Sequence, residues 1–188
     1  MYTKDELFDI LNEDGSHTGK TAPRGTVHRE GLLHGSVHIW VARVRLTGLE
    51  LLLQKRADDK DSYPSCFDAA ATGHIDSGED HLSAAIREVG EELGLTVHPA
   101  DLVLLSRRRV KEDNIFHGER FINNEYTWIY LLRTEVNDND LKFEEAEISA
   151  LEWRSAEEIK KAVSAHDTAY CIDHDELTEV IRCCEDIL

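Results

Sequence analysis

Residues 73–95 read GHIDSGEDHLSAAIREVGEELGL, and no other stretch constrains the fold as much. At ~100° per residue, a helix over 79–93 gathers Leu82, Ala85, Ile86, Val89 and Leu93 on one arc. Glu88, Glu91 and Glu92 fall within another arc of ~100°. The first arc requires an apolar surface to pack against. The second sets three carboxylates side by side. Like charges three and four residues apart destabilise an isolated helix by ~0.2–0.5 kcal/mol per pair. A cation among them removes that penalty, and hard oxygen ligands suit Mg²⁺ or Mn²⁺. For the glutamates taken alone, a solvated acidic face is the competing reading. Arg87 stands four residues before Glu91, placed to pair with it and orient a carboxylate from behind. Gly94 is placed to stop the helix.

The rest of the chain offers that helix a sheet. Residues 6–12 and 17–22 flank Asn12-Glu13-Asp14-Gly15, a hairpin turn. Residues 36–46 and 49–56 flank Thr47-Gly48 and read as two more strands, the first apolar on both faces like a central strand. Further strands are expected at 101–110, 125–133 and 147–153. Ser155 and Glu158 form a capping box opening a helix to about Ser164. Residues 173–187 form another, with Leu177, Val180, Ile181 and Cys184 at helical spacing. That stripe either packs internally or joins two chains as a homodimer. Strands interleaved with a few helices mean α/β or α+β.

Charge narrows the partners. With 21 Lys+Arg against 38 Asp+Glu, the net charge of -17 counts against a nucleic-acid polymer or an anionic membrane. An anionic substrate then needs a local reversal of field, from a metal ion or a basic patch. Residues 1–6 carry no apolar leader segment, and no run of ~18 apolar residues spans a membrane. Cys66, Cys171, Cys183 and Cys184 make no CxxC pair and read as reduced thiols, which points to the cytoplasm.

Gly73, Glu79, Arg87-Glu88-Val89, Glu91-Glu92 and Gly94-Leu95 occupy every fixed position of the Nudix box, and the chain resembles the Nudix family. The resemblance implies an α/β/α sandwich around a mixed sheet, here with a C-terminal helical extension. It also implies a metal-dependent pyrophosphohydrolase using Mg²⁺ or Mn²⁺ on a small-molecule diphosphate. By this resemblance Glu88 and Glu92 ligate the metal, and Glu91 is a ligand or base. Gly73 gives its carbonyl, and Glu79 and Arg87 support the geometry. Residues 1–188 are expected to form a single domain, with a core at about 34–165, an N-terminal hairpin at 5–22 and a C-terminal helix at 173–187.

A second set of residues resembles the isopentenyl diphosphate isomerase branch of that family: Arg24–His28, His34, Trp40, Leu51–Arg56, Lys60, Pro64, Asp68, Gly73-His74 and Phe121–Glu125. This likeness implies a second metal site at His28, His34, His74 and Glu125, with Asn123 where the isomerase has a second glutamate. It also implies a diphosphate clamp at Arg56 and Lys60, while Glu125 has a further reading as general base. The isomerase requires Cys where Thr72 stands, and isomerases commonly carry Arg in place of Glu88. A threonine hydroxyl is too weak an acid to protonate carbon, and Cys66 lies six residues upstream. The expectation is therefore hydrolysis of a nucleoside diphosphate derivative or a similar small organic diphosphate. Isomerisation and a non-catalytic nucleotide sensor are the alternatives. Arg107-Arg108-Arg109 with Lys111 reads as a phosphate patch or an exposed strand face. Tyr126 and Trp128 read as base-stacking or packing residues.

Overall fold

Strand β3 (His34–Arg45) is the axis of the molecule. It pairs antiparallel with β4 (Gly48–Arg56) and with β6 (Ala71–His74), and parallel with β8 (Glu119–Leu132). The sheet is completed by β5 (Phe67–Ala69) and β9 (Ile148–Ser155) on β4, and by β7 (Leu102–Phe116) on β8. It is therefore mixed, with order β5-β4-β3-β8-β7 and with β6 and β9 off that path. A separate ribbon of β1 (Leu7–Leu11) and β2 (His17–Pro23) leads into helix α1 (Arg24–Glu30). This computed structural model describes residues 6–133, 136, 138–143 and 146–187. Residues 1–5, which carry most of the no-leader expectation and the first residue of the hairpin, lie outside the described residues.

Both sheet faces are covered, so β3 is buried on each side. Val37, Ile39 and Val41 pack with Ala84, Ala85, Val89 and Leu93 of helix α2 (His81–Leu93). Trp40, Leu131 and Ile129 pack with Ile159 and Val163 of α3 (Ala156–Ser164) and with Leu177, Val180 and Cys184 of α4 (His174–Ile187). The result is the expected α/β/α sandwich. The α4 stripe is buried within the chain, so the internal reading holds over the homodimer seam.

Three local expectations change. Asp80, not Glu79, begins the helix: its Oδ1 accepts from Leu82 N at 2.9 Å and Ser83 N at 3.0 Å, the strongest available cap. Ser155 stands at the cap position of α3 but makes no side-chain cap bond, so the capping box does not form. The strands expected at 101–110 and 125–133 extend to Phe116 and back to Glu119. They turn at His117 (φ 52) and Gly118 (φ 83), as a two-residue hairpin requires. Polar residues Lys111–Asn114 mask this extension because much of the projecting ribbon is exposed.

Candidate active site and metal centres

Sheet register assembles the site. In the parallel β3–β8 pairing His34 stands opposite Glu125, and Ser36 opposite Thr127. In the antiparallel β3–β6 pairing Ser36 stands opposite His74, and His38 opposite Thr72. Directly paired residues point to one face, so these side chains share a floor. Above it lies a cavity of about 530 Å³, also reached by Arg56, Lys60, Glu88, Glu91 and Glu92.

Glu88 and Glu92 are buried at the cavity wall, whereas the Glu91 side chain is 61% exposed. Glu92 accepts from Thr72 N at 2.7 Å and from Gln54 Nε2 at 2.8 Å. Arg87 donates to Glu88 at 2.6 Å, Glu79 at 3.0 Å and Glu91 at 3.2 Å, and to the His74 carbonyl at 2.9 Å. It ties helix, loop and β6 together, as a supporting residue should. A Cβ on Gly73 would lie 1.8 Å from Glu88 Oε1, so only hydrogen fits there. Burial, then repulsion from Glu92, raises the Glu88 carboxyl above the ordinary range, and burial raises that of Glu92. Two buried acids held this way favour a cation.

Ligand atoms of His28, His34, His74 and Glu125 all lie within 4.8 Å of one another. His34 Nδ1 donates to Leu32 O at 2.9 Å, and His28 Nδ1 donates to Ile122 O at 3.3 Å. In the neutral rings both Nε2 lone pairs are then free, and both atoms are buried without a hydrogen-bond partner. His34 Nε2 faces Glu125 Oε1 at 3.4 Å, acceptor against acceptor. Arg24 donates to His74 Nδ1 at 3.0 Å, so this third ring carries its proton on Nε2, 3.6 Å from Glu125. Burial pushes His28 down to about 3 and lowers His74 as well, keeping both neutral. Burial alone would raise Glu125, but the His34 and His74 imidazoles beside it hold it well below the usual range. Phe8 stacks on His34 and His74 at 5.4 and 4.6 Å, and Phe121 stacks on His28 at 4.1 Å. Two unused imidazole lone pairs beside an anionic carboxylate in an apolar enclosure fit a transition-metal ion. Asn123 also lines the cavity.

The two clamp residues reach the cavity with partners already in place. Arg56 donates to Ser62 O at 3.1 Å and to Asp68 at 3.5 Å, and buried Lys60 bonds Glu147. The arginine run does not form a phosphate patch. Arg107 lies over the Tyr126 ring at 4.4 Å, Arg108 pairs with Asp173 at 2.9 Å, and Arg109 pairs with Glu13 at 3.4 Å. Strand alternation sends successive arginines to opposite faces. Trp128 stacks on His81 at 5.0 Å, which is the packing reading. Sequence reasoning missed Phe8, Gln54, Glu147, Cys171, His38 and Glu176. Glu176 carried a signal: with Val180 and Cys184 it makes an i, i+4, i+8 series, an acid on the apolar stripe.

Known proteins resemble this chain in sequence and in fold. The NUDIX domain model matches residues 33–173. Nudix hydrolase 3 of Arabidopsis thaliana is 38% identical over 95% of this chain, which spans 23% of that protein's length. The uncharacterized Nudix hydrolase lmo0368 of Listeria monocytogenes is 32% identical over 82% of this chain and 83% of its own. An isopentenyl-diphosphate Delta-isomerase of Aliivibrio fischeri is 27% identical over 89% of this chain and 90% of its own. Among solved structures, DR0079 of Deinococcus radiodurans shares the fold with a TM-score of 0.68, at 22% identity over 95% of this chain and 99% of its own. The family match takes in the β3 floor, the acidic helix and the far cavity wall, and by it this chain belongs to the Nudix hydrolase family.

Proposed function

We propose that the chain is a metal-dependent pyrophosphohydrolase of a nucleoside diphosphate derivative or a similar small organic diphosphate. The observation that carries this reading is the pair of buried carboxylates, Glu88 and Glu92, packed against Gly73 at the cavity wall. Glu88, Glu92 and the Gly73 carbonyl would hold Mg²⁺ or Mn²⁺, with Glu91 at the rim. When bound, a divalent cation compensates charge on the diphosphate oxygens and acidifies a nearby water. Glu91 is the better base of the two acids considered, since it is open to water while Glu125 is engaged by Ser36 and two imidazoles. Phosphate oxygens compete with Asp68 and Glu147 for Arg56 and Lys60. His28, His34 and Glu125 would hold a second ion, joined by His74 once Arg24 releases its Nδ1 and the ring proton sits there instead of on Nε2. The hairpin and the C-terminal helices belong with the sheet to one domain. A cytoplasmic location belongs to the same proposal; no helix among the described residues is long and apolar enough to cross a membrane.

Phosphate release from a panel of nucleotide sugars, dinucleoside polyphosphates, ADP-ribose, oxidised nucleotides and prenyl diphosphates tests the reading. Activity on at least one compound is expected, abolished by EDTA and restored by Mg²⁺ or Mn²⁺. Full activity in EDTA refutes metal dependence, and tight binding without release favours a nucleotide sensor. For the second site, elemental analysis of protein purified without chelator is expected to find a bound transition metal that His28→Ala removes. Retention of that metal by the variant would place it elsewhere.

The isomerase-like relatives make a second reaction worth measuring. Thr72 Oγ1 accepts from Gln54 at 3.3 Å, and its hydroxyl is a very weak acid. Cys171 also lines the cavity, but its thiol donates to Phe67 O at 3.4 Å. Isopentenyl diphosphate is therefore expected to show no double-bond migration. A kcat near ~1 s⁻¹, ordinary for an enzyme, would withdraw the hydrolase assignment in favour of the isomerase.

A further inference from the structure

The chemistry above leaves one charged pair on the cavity floor without a role. His38 stands opposite Thr72 on the Trp40 side of β3, the face that α3 and α4 cover, and lines the cavity that Glu88 and Glu92 also reach. Its Nδ1 donates to Glu176 Oε1 at 2.9 Å, and the same oxygen accepts from Trp40 Nε1 at 2.9 Å. Glu176 belongs to the first turn of α4. Asp173 caps that turn, its Oδ1 accepting from Asp175 N at 3.0 Å and Glu176 N at 2.9 Å. The Glu176 side chain is 3% exposed and that of His38 is 25% exposed, and both line the cavity. With Nδ1 committed to the carboxylate, Nε2 is the ring's remaining donor. Among the described residues it has no hydrogen-bond partner.

Burial opposes a charge on this ring. The Glu176 carboxylate outweighs it, helped by Asp68 of β5 and Glu125 of β8, and pushes His38 up to about 9. The other cations of the cavity face carboxylates directly: Arg56 faces Asp68, Lys60 faces Glu147, and Arg87 faces Glu79 and Glu88. His38 differs because its carboxylate lies behind it and its second N–H is not taken. A pair serving only to fasten α4 would gain nothing from leaving one member a quarter exposed. Apolar residues of similar volume fasten as well or better.

We infer that His38 is a substrate-binding residue, a cation positioned from behind by Glu176, which donates Nε2–H to an anionic phosphate oxygen of the diphosphate. The inference rests on the hydrolase reading and adds a binding contact to it from outside the box. A charged donor favours an anionic acceptor over a hydroxyl or carbonyl. It also makes the C-terminal helix part of the binding site, through Glu176.

Inorganic pyrophosphate with Mg²⁺ is the probe. In protein carrying isotope-labelled histidine, the His38 ring is expected to titrate at about 9 and to shift when pyrophosphate is added. In Glu176→Gln the titration should move down towards the ordinary histidine range. His38→Gln and Glu176→Gln should each weaken pyrophosphate binding about tenfold at pH 8, the loss of one charge-assisted bond. On the best substrate both should raise KM more than they lower kcat. A purely structural pair predicts lower melting temperatures with unchanged pyrophosphate affinity, and that result overturns the inference. If a variant fails to fold, the wild-type resonance decides: pyrophosphate that binds without moving His38 also overturns it. Pyrophosphate that does not bind the wild type at all removes the inference and the hydrolase reading together, whereas bound pyrophosphate with an unmoved His38 removes the inference alone.

Discussion

Glu92→Gln is expected to lower kcat by ~10³-fold or more, a loss of several kcal/mol of transition-state stabilisation, and at the same time to raise the melting temperature of the metal-free protein. The two signs share one cause. Glu92 is buried beside Glu88, and burial raises both carboxyls, so each resists carrying its charge without a cation. The amide removes that conflict and with it a proposed metal ligand. Both donors that hold Glu92, Thr72 N and Gln54 Nε2, reach the same oxygen, Oε2, so an amide oxygen in that place keeps both bonds. Steady-state kinetics on the best panel substrate and calorimetry in EDTA read the two effects separately. An unimpaired variant sinks the metal-hydrolase reading. A lower melting temperature would mean that burying the amide N–H₂ costs more than the relieved repulsion returns.

Gly73→Ala should be nearly as damaging from a single methyl group. The new Cβ would meet Glu88 Oε1 at 1.8 Å, far inside contact distance, so the carboxylate or strand β6 must move. Displacing a catalytic group by about 1 Å costs on the order of 10²-fold in rate, and that is the expected fall in kcat. Circular dichroism and melting should show a folded protein, because β6 pairs with β3 through four residue pairs that keep their register. Wild-type kcat in this variant would show that Glu88 is not held against Gly73 during turnover.

The helix that carries these residues was legible because its two arcs repeat every 3.6 residues within one short window. Val89 and Leu93 had to face a core and Glu88 and Glu92 something else, whatever the rest of the chain did. The floor of the site was legible only by resemblance. His34 and Glu125 are 91 positions apart, and what aligns them is the parallel register of β3 and β8, which no local pattern encodes. Phe8, which covers the histidine rings, was read simply as a strand residue because its burial depends on where the β1–β2 ribbon docks. Local signals also misled where two competed. Asp80 and Glu79 both suit a helix start, and only geometry decides which caps it.

The α4 attachment has a consequence for the order in which the molecule comes into being. His38 and Trp40 meet Glu176 across 138 and 136 positions of chain, among the most distant contacts in the fold. Loop closure over such spans slows folding, since the chain entropy is lost before the contact rewards it. During synthesis the acidic helix and all three cluster histidines leave the ribosome well before Glu176 does. The earlier segments can pair as a sheet with the proposed metal ligands gathered, yet one wall of the cavity is missing until α4 docks. A nascent chain at that stage would have the proposed metal sites in place before it could select a substrate.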